Sequence, residues 1–171
     1  MPGVIIEDGL DDPRVLEMLK RHVERSRAET APGSAHAFDP GRLRASDIRF
    51  WTAWNGEKLL GCGALKRIAS DHGEIKSMHT VEAERRLGIG SAILRRIIEE
   101  ARRQGLGRLS LETGAWPYFH AARAFYARHG FVECEPFEGY VSDPNSVFMT
   151  LELGKPIEPA NHLKRAHRRA I

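Results

Sequence analysis

The sequence has 171 residues, of which 42% are hydrophobic and 29% charged, and this is the composition of one soluble domain with a core of its own. No stretch approaches eighteen consecutive apolar residues, which argues against a membrane-spanning helix. The net charge of +3 comes from residues 155–171, which carry five basic and one acidic side chain (+4), so the other 154 residues carry 21 basic and 22 acidic ones (−1). That balance argues against a nucleic-acid-binding body.

The first ten residues lack the positive start and long apolar stretch of a secretory signal, so we expect a cytoplasmic protein. The two cysteines, Cys62 and Cys134, lie far apart and lack the paired spacing of a zinc or redox site. We predict that both are structural, because a chain without a signal keeps its thiols reduced. A disulfide and a thiol nucleophile remain alternatives, and we predict no metal site.

The first half of the chain predicts a strand, a helix and a β-hairpin. A β-branched run, "GVIIE", precedes Asp12 and Pro13, which form an N-cap followed by proline at the first helical position. Apolar residues recur on one face of the following helix to about Arg27, and a loop rich in glycine and proline follows. The hairpin consists of "IRFWTAWN" and "KLLGCGALKRIA", joined by a Gly-Glu turn.

The second half predicts strands that alternate with two helices. In "EIKSMHTV", strict alternation puts Glu74 on the same face as Met78 and Thr80. An apolar stripe from Ile89 marks the clearest helix, which Gly105 ends, and "GRLSLETG" then forms a strand. A second helix in "YFHAARAFYARHGF" and two strand candidates, "FVECEPF" and "SVFMTLEL", complete the pattern. Six or seven strands with interspersed helices indicate an α/β or α+β fold.

A short motif precedes the clearest helix: two arginines, then two glycines spaced by one residue, at Arg85 to Gly90. A helix begins with unpaired N–H groups and partial positive charge, and glycines there let a phosphate approach the backbone. The motif predicts a pyrophosphate-binding turn. A plain strand-to-helix turn with solvated arginines is the alternative, and neither the dinucleotide fingerprint nor the P-loop fits.

The segment Arg-x-x-Gly-x-Gly, preceded by "EIKSMHT" and followed by a helix, a strand and "AFYARHGF", resembles the GNAT superfamily of acetyl-CoA-dependent N-acetyltransferases. The resemblance covers about residues 3–153. It implies a mixed, mostly antiparallel sheet of six to seven strands with a central splay, flanked by about four helices, in one domain over residues 1–154. Residues 155–171 are then a flexible basic tail, with a helical segment on a partner chain or a nucleic-acid contact as alternatives.

The resemblance also implies a function and a cofactor site. Acetyl-CoA is the expected co-substrate, and its acetyl group passes directly to a primary amine in a ternary complex, without a covalent enzyme intermediate. A non-catalytic acyl-CoA sensor on the same fold is the alternative. The residues that match the family's cofactor site, with a backbone N–H near Met78 polarising the thioester carbonyl, are Met78, His79, Thr80, Arg85, Arg86, Leu87, Gly88, Ile89, Gly90 and Ser91.

Two residues match the family's proton-transfer positions. An alkyl ammonium must lose a proton before it attacks a thioester, and Glu74 is the expected base; a solvent-exposed strand carboxylate paired with Lys76 or another neighbour is the alternative. Tyr126 is the expected acid for the departing thiolate, with a plain core aromatic as the alternative. His120 is a second candidate base. Phe119 stands where many members carry an asparagine that contacts the cofactor, which puts that contact in doubt.

The acceptor pocket is predicted by position only. If the family's layout holds, four aromatic residues border it, and each could instead be a buried anchor; Glu138 and Asp143 could attract a cationic amine. A small-molecule amine is the favoured acceptor and a homodimer is possible by analogy. The four predicted pocket residues are His36, Trp116, Tyr118 and Tyr140.

Overall fold

The computed structural model describes residues 3–32 and 39–154. Seven strands form one sheet in the order β1-β2-β3-β4-β5-β7-β6, and every neighbouring pair is antiparallel except β4 and β5. The predicted mixed, mostly antiparallel sheet is therefore confirmed. The strands are β1 (Val4–Glu7), β2 (Ile48–Asn55), β3 (Lys58–Arg67), β4 (His72–Thr80), β5 (Arg108–Gly114), β6 (Val132–Cys134) and β7 (Ser146–Glu152).

Three α-helices cover the sheet within the described residues, where about four helices were expected. They are α1 (Pro13–Ala28), α2 (Ile89–Arg103) and α3 (His120–Arg128). Short 3-10 turns at Pro40–Arg44, Glu82–Glu84 and Pro117–Phe119 make up the other helical segments there.

Helix α1 begins where the sequence predicts. The Asp12 carboxylate accepts a hydrogen bond from the Arg14 backbone N–H at 2.8 Å, and Pro13 occupies the first turn, where its missing N–H costs nothing. Its buried residues, Val15 and Leu19 among them, pack on one face of the sheet with Cys62 and Ala64 of β3. We call this side of the sheet the α1 face.

Helix α2 covers the opposite side, which we call the α2 face. Its predicted apolar stripe is buried: Ile93, Leu94 and Ile97 are fully inaccessible to solvent. Burial of each such side chain contributes about 1.5–3 kcal/mol relative to exposure, so the stripe fixes the helix on the sheet. Tyr126 of α3 packs in the same core, so α2 and α3 share this face.

A β-bulge in β4 overturns the alternation predicted for this strand. Lys76 pairs with Ala64 but His79 pairs with Cys62, so two residues of β4 lie opposite one residue of β3, and Ser77 has a positive φ of 53°. Directly opposite residues share a face, so Lys76 and His79 both lie on the α1 face.

Met78, in contrast, lies on the α2 face. Its sulfur occupies the space over Gly63, 2.5 Å from where a Cβ would be, beside Ile93 and Ile97. The prediction that Glu74 shares a face with Met78 and Thr80 is therefore wrong, because the extra residue at the bulge reverses the side-chain alternation.

The two central strands separate after a short contact. Strands β4 and β5 pair only at His72, Gly73 and Glu74, opposite Arg108, Leu109 and Ser110. Strand β5 continues along β7 to Gly114, whereas β4 runs on to Thr80 along β3 alone. The predicted central splay is present, and it opens directly after Glu74.

Both cysteines are free, so the disulfide alternative is wrong. Cys62 is fully buried and its thiol donates to the Ser77 carbonyl at 3.2 Å; burial raises its pKa to about 12, which makes it a poor nucleophile. Cys134 is half-buried, and burial raises the pKa of its thiol as well.

No helix in residues 3–32 and 39–154 is long and apolar enough to cross a membrane. Of the sequence predictions, His36 and the basic segment 155–171 lie outside the described residues. The division of the chain at residue 154 stays a prediction.

Candidate active site

Glu74 lies at the point where the sheet opens. It is 5% exposed, although it is the last residue of β4 to pair with β5. Its Oε1 accepts a hydrogen bond from the Tyr140 hydroxyl at 2.6 Å and another from the Lys76 ammonium at 3.2 Å. The alternative prediction, a solvent-exposed carboxylate paired with Lys76, is therefore correct about the partner. It is wrong about the exposure, because Glu74 is buried.

The turn before α2 has the geometry of an anion site. Gly88 adopts a left-handed φ of 81° as the N-cap and provides no side-chain cap, so the helix begins with N–H groups that no side chain satisfies. Arg86 is also left-handed, with φ 68°. Arg85 and Arg86 are exposed and form no ion pair with any residue in the described parts of the chain. Helix dipole and arginine charge therefore favour a phosphate here.

The left-handed turn yields a direct test. Gly88→Ala forces a side chain into a conformation that costs about 1–2 kcal/mol, so we expect the turn to distort and the Kd of CoA to rise about tenfold by calorimetry. Gly105→Ala is the matched control, since Gly105 has a φ of 75° at the other end of α2 and, like Gly88, has open space where a Cβ would lie. An equal rise in Kd for both variants would contradict a phosphate role for the Gly88 turn.

Tyr126 lies on the α2 face, opposite Glu74 across the sheet. It is 6% exposed and packs edge-on against Phe125 and Phe131, with ring centroids 5.2 and 5.4 Å apart. Burial raises its pKa, so the hydroxyl stays protonated at neutral pH. Phe125 also approaches Gly90 at the start of α2, which places α3 beside the turn that precedes α2.

His79 contributes its ring to the α1 face. The ring packs against His22 of α1, with centroids 4.5 Å apart. Burial, together with His22, Arg85 and Arg25, lowers the pKa of His79 to about 3, and burial also lowers that of His22, so both rings are neutral at pH 7. Neutral rings fit a position beside the cationic Arg85.

The predicted acceptor residues are only partly brought together. Tyr140 reaches Glu74, as described above. Tyr118 lies under the Arg25 guanidinium of α1, 5.6 Å from the ring centroid. Trp116 is 39% exposed and donates to the Asn145 side chain at 2.9 Å. Tyr140 thus belongs to the Glu74 cluster, whereas Tyr118 joins the loop after β5 to α1.

Sequence reasoning missed two residues of α1. His22 contacts His79 and Arg25 contacts Tyr118, and Arg25 also pairs with Glu82 at 3.1 Å. A signal was available, because residues three apart on a helix share a face. The role of that face depends on its contacts with His79 and Tyr118, which lie far away in the sequence.

The remaining residues that the sequence singles out are His120, Phe119, Asp143 and Glu138. His120 is exposed at the first residue of α3, and Phe119 packs against Tyr118 with ring centroids 4.9 Å apart. Asp143 accepts two hydrogen bonds from Asn145, at 2.8 and 3.0 Å, and so stabilises its own turn. Glu138 is exposed and has a positive φ of 37°.

Comparison with known proteins identifies the class. The sequence model of the Acetyltransferase (GNAT) family matches residues 15–131. The uncharacterized N-acetyltransferase YsnE of Bacillus subtilis (strain 168) is 46% identical over 146 residues, which cover 85% of this chain and 97% of YsnE. An acetyltransferase from Streptococcus agalactiae 2603 has the same fold, with a TM-score of 0.67, 20% identity and coverage of 87% and 97% of the two chains.

A further solved structure contains the cofactor. A Mycobacterium tuberculosis protein in complex with CoA and NLQ is 26% identical, with a TM-score of 0.64 and coverage of 87% of this chain and 98% of that one.

The chain belongs to the GNAT acetyltransferase family. It is an acetyl-CoA-dependent N-acetyltransferase, which is the leading function that the sequence predicts. The family and its named relatives support the enzyme over the non-catalytic sensor.

Proposed function

We propose that this enzyme transfers the acetyl group of acetyl-CoA directly to the primary amine of a small molecule. The observation that carries the proposal is the splay, which opens directly after Glu74 and separates a carboxylate on the α1 face from Tyr126 and the α2 N-terminus on the other. A thioester threaded through this opening has a base on one side and an acid and a phosphate site on the other.

The proposed cofactor site runs along β4 and into α2. Beyond Glu74, the β4 backbone has no β5 partner, so the pantetheine arm can pair with it as an added strand would. The Met78 N–H polarises the thioester carbonyl and stabilises the negative charge that develops on its oxygen. The amides from Leu87 to Ser91, with Arg85 and Arg86, bind the pyrophosphate.

The proposed chemistry assigns a proton transfer to each of two residues. Glu74 takes a proton from the acceptor ammonium, directly or through a water, and the neutral amine attacks the thioester carbon. The C–S bond then breaks as Tyr126 donates its proton to the departing CoA thiolate, and the attacking nitrogen loses its second proton to water as it becomes the amide nitrogen. Attack by the amine itself means that no acetyl-enzyme forms.

A small acceptor is supported by the side chains that lie on the α1 face. Tyr118 and Arg25 meet on one side of the α1 face, and Tyr140, Lys76 and Glu74 form a cluster near the splay. An extended polypeptide requires an open groove, whereas side chains that meet above a strand suit a compact ligand.

Steady-state kinetics test the proposal. We expect release of CoA thiol when the protein is mixed with acetyl-CoA and a panel of amino acids, polyamines and aminoglycosides. Initial-rate lines should intersect, as a ternary complex requires, and parallel lines would indicate an acetyl-enzyme and contradict direct transfer. Calorimetry with CoA alone tests the cofactor site, and absence of binding there would contradict the proposed site itself.

A further inference from the structure

A strained turn between β6 and β7 places Tyr140 next to Glu74. The two residues before it, Glu138 and Gly139, have positive φ values of 37° and 84°, and the Tyr140 N–H donates to the Phe137 carbonyl at 3.0 Å. Glycine tolerates this backbone, but a glutamate in the left-handed region is disfavoured by about 1–2 kcal/mol. Strain of this kind persists only where the surroundings hold it.

An aromatic cluster holds the Tyr140 ring. The ring packs against Phe137 and Phe148, with centroids 5.1 and 5.5 Å apart, and Phe137 in turn packs against His72 at 5.5 Å. Phe137, Phe148 and His72 are buried. The ring of Tyr140 is therefore positioned by packed side chains and not by its hydroxyl alone.

The bottom of this cluster is fixed by hydrogen bonds. Arg108 can only donate, so it donates to Nδ1 of His72 at 3.1 Å, and the His72 Nε2–H then donates to the Ser110 hydroxyl at 2.7 Å. The Ser110 hydroxyl lies 2.9 Å from that of Thr150 on β7. This series of hydrogen bonds joins β4, β5 and β7 next to the splay, and the aromatic cluster packs against it.

The two donors to Glu74 share one oxygen. Tyr140 and Lys76 both bind Oε1, and within the described residues nothing donates to Oε2. The Lys76 ammonium also lies 3.5 Å from the Tyr140 oxygen, where its charge polarises the phenol and strengthens it as a donor. Burial, then the hydrogen bond to Glu74, raises the pKa of Tyr140, so the phenol keeps its proton at physiological pH.

We propose that Tyr140 is a positioning residue for the acetyl transfer: its hydroxyl holds Glu74 by Oε1 and thereby presents Oε2 to the acceptor amine. The inference rests on the function proposed above, because Tyr140 can position the base only if Glu74 is that base. It differs from the role predicted from the sequence, in which Tyr140 lines the acceptor pocket.

The test is Tyr140→Phe, which keeps the ring and its packing. We expect kcat for the most active amine of the panel to fall about tenfold, as loss of a hydrogen bond to a charged group implies, with KM for acetyl-CoA unchanged. The acid limb of the kcat/KM profile should move to higher pH, because a carboxylate that loses a donor is protonated more easily. A rise in the KM of the amine alone, with kcat and the pH profile unchanged, would overturn the proposal in favour of pocket lining.

A double-mutant cycle separates this inference from the proposed function. If Tyr140 acts through Glu74, Tyr140→Phe has no further effect on kcat in the Glu74→Gln background. A tenfold loss that persists in that background overturns the positioning role and leaves Glu74 as the base. Wild-type kcat in Glu74→Gln alone overturns the proposed base, and the positioning role with it.

Lysine variants provide the matched control. Lys76→Met removes the other donor to Oε1, so the acid limb should move in the same direction as in Tyr140→Phe. Lys20→Met, at an exposed position of α1, should leave kcat and the profile unchanged. Equal thermal stability of Tyr140→Phe and the wild type shows that the kinetic change is not a folding defect, and a profile that moves in Lys20→Met as well would contradict the proposal.

Discussion

Replacing Glu74 with glutamine is expected to lower kcat by about 10²–10⁴, the range that general acid–base catalysis contributes, while the Kd of CoA stays unchanged. An amide has the shape of the carboxylate and can still accept the Tyr140 hydrogen bond through its carbonyl oxygen, but it cannot take a proton from the acceptor ammonium. Thiol release measures kcat, and calorimetry measures CoA binding.

Glu99→Gln serves as the control for the loss of one negative charge, because Glu99 is an exposed residue of α2 with 65% of its side chain accessible. It should retain wild-type kcat. If Glu74→Gln retains both kcat and CoA binding, the base lies elsewhere, and His120, the second candidate from the sequence, is the residue to replace next.

The second large effect is expected for Tyr126→Phe. At neutral pH we expect kcat to fall by about 10²-fold, the lower end of the range for proton transfer, because the CoA thiolate must then leave without its proton donor. The loss should shrink as the pH rises toward about 8.5, the ordinary pKa of a thiol, since the thiolate is then stable in water. Burial raises the pKa of Tyr126 above its ordinary 10.0, so the wild-type enzyme should not lose this acid at pH values below 10.0.

Phenylalanine preserves the packing of Tyr126 against Phe125 and Phe131, which separates chemistry from stability. Tyr126→Phe should therefore unfold near the wild-type temperature, and Tyr126→Leu should unfold earlier because it leaves a cavity. A loss of kcat that is the same at every pH would contradict the acid role and indicate that the hydroxyl only orders the core.

The proposed roles of Glu74 and Tyr126 place the acceptor amine and the departing CoA sulfur on opposite sides of the sheet. The proposed base, Glu74, lies on the α1 face and the proposed acid, Tyr126, lies on the α2 face, and the splay between β4 and β5 opens between them. In the proposed mechanism the amine enters from one side while the sulfur departs toward the other, so acceptor and CoA do not compete for the same space. In this arrangement helices α2 and α3 contact CoA, and the acceptor lies between Glu74 of β4, helix α1 and the β6–β7 turn.

Local signals predicted most of the fold. Asp12 with Pro13 and the stripe from Ile89 mark the starts of α1 and α2, and the structure has the helices beginning at Pro13 and Ile89. These features depend on neighbours within a turn or two, which a sequence displays directly. The splay and the mostly antiparallel sheet came from the family resemblance, because pairing between distant strands leaves no local pattern.

The site could be predicted only in part. The family resemblance proposed Glu74 and a motif proposed the glycine turn, but the Tyr140–Glu74 contact joins residues 66 positions apart. Alternation failed at Ser77 because a serine at a positive φ gives no warning in the sequence, whereas a glycine there would have suggested a bulge. His22 and Arg25 of α1 were missed for the same reason as the Tyr140–Glu74 contact, since their importance depends on contacts with residues far away in the sequence.

The bulge at Ser77 gives β4 one residue more than its pairing with β3 requires. Deleting Ser77 would leave Met78 alone opposite Gly63 and restore regular pairing with β3, so Met78 and His79 would keep the faces that they have now. The strand would lose the local bend and twist that the extra residue adds, just beyond the point where β4 leaves β5. A single-codon deletion would thus preserve the side chains that line the two compartments and change only the path of the backbone along which CoA is proposed to lie.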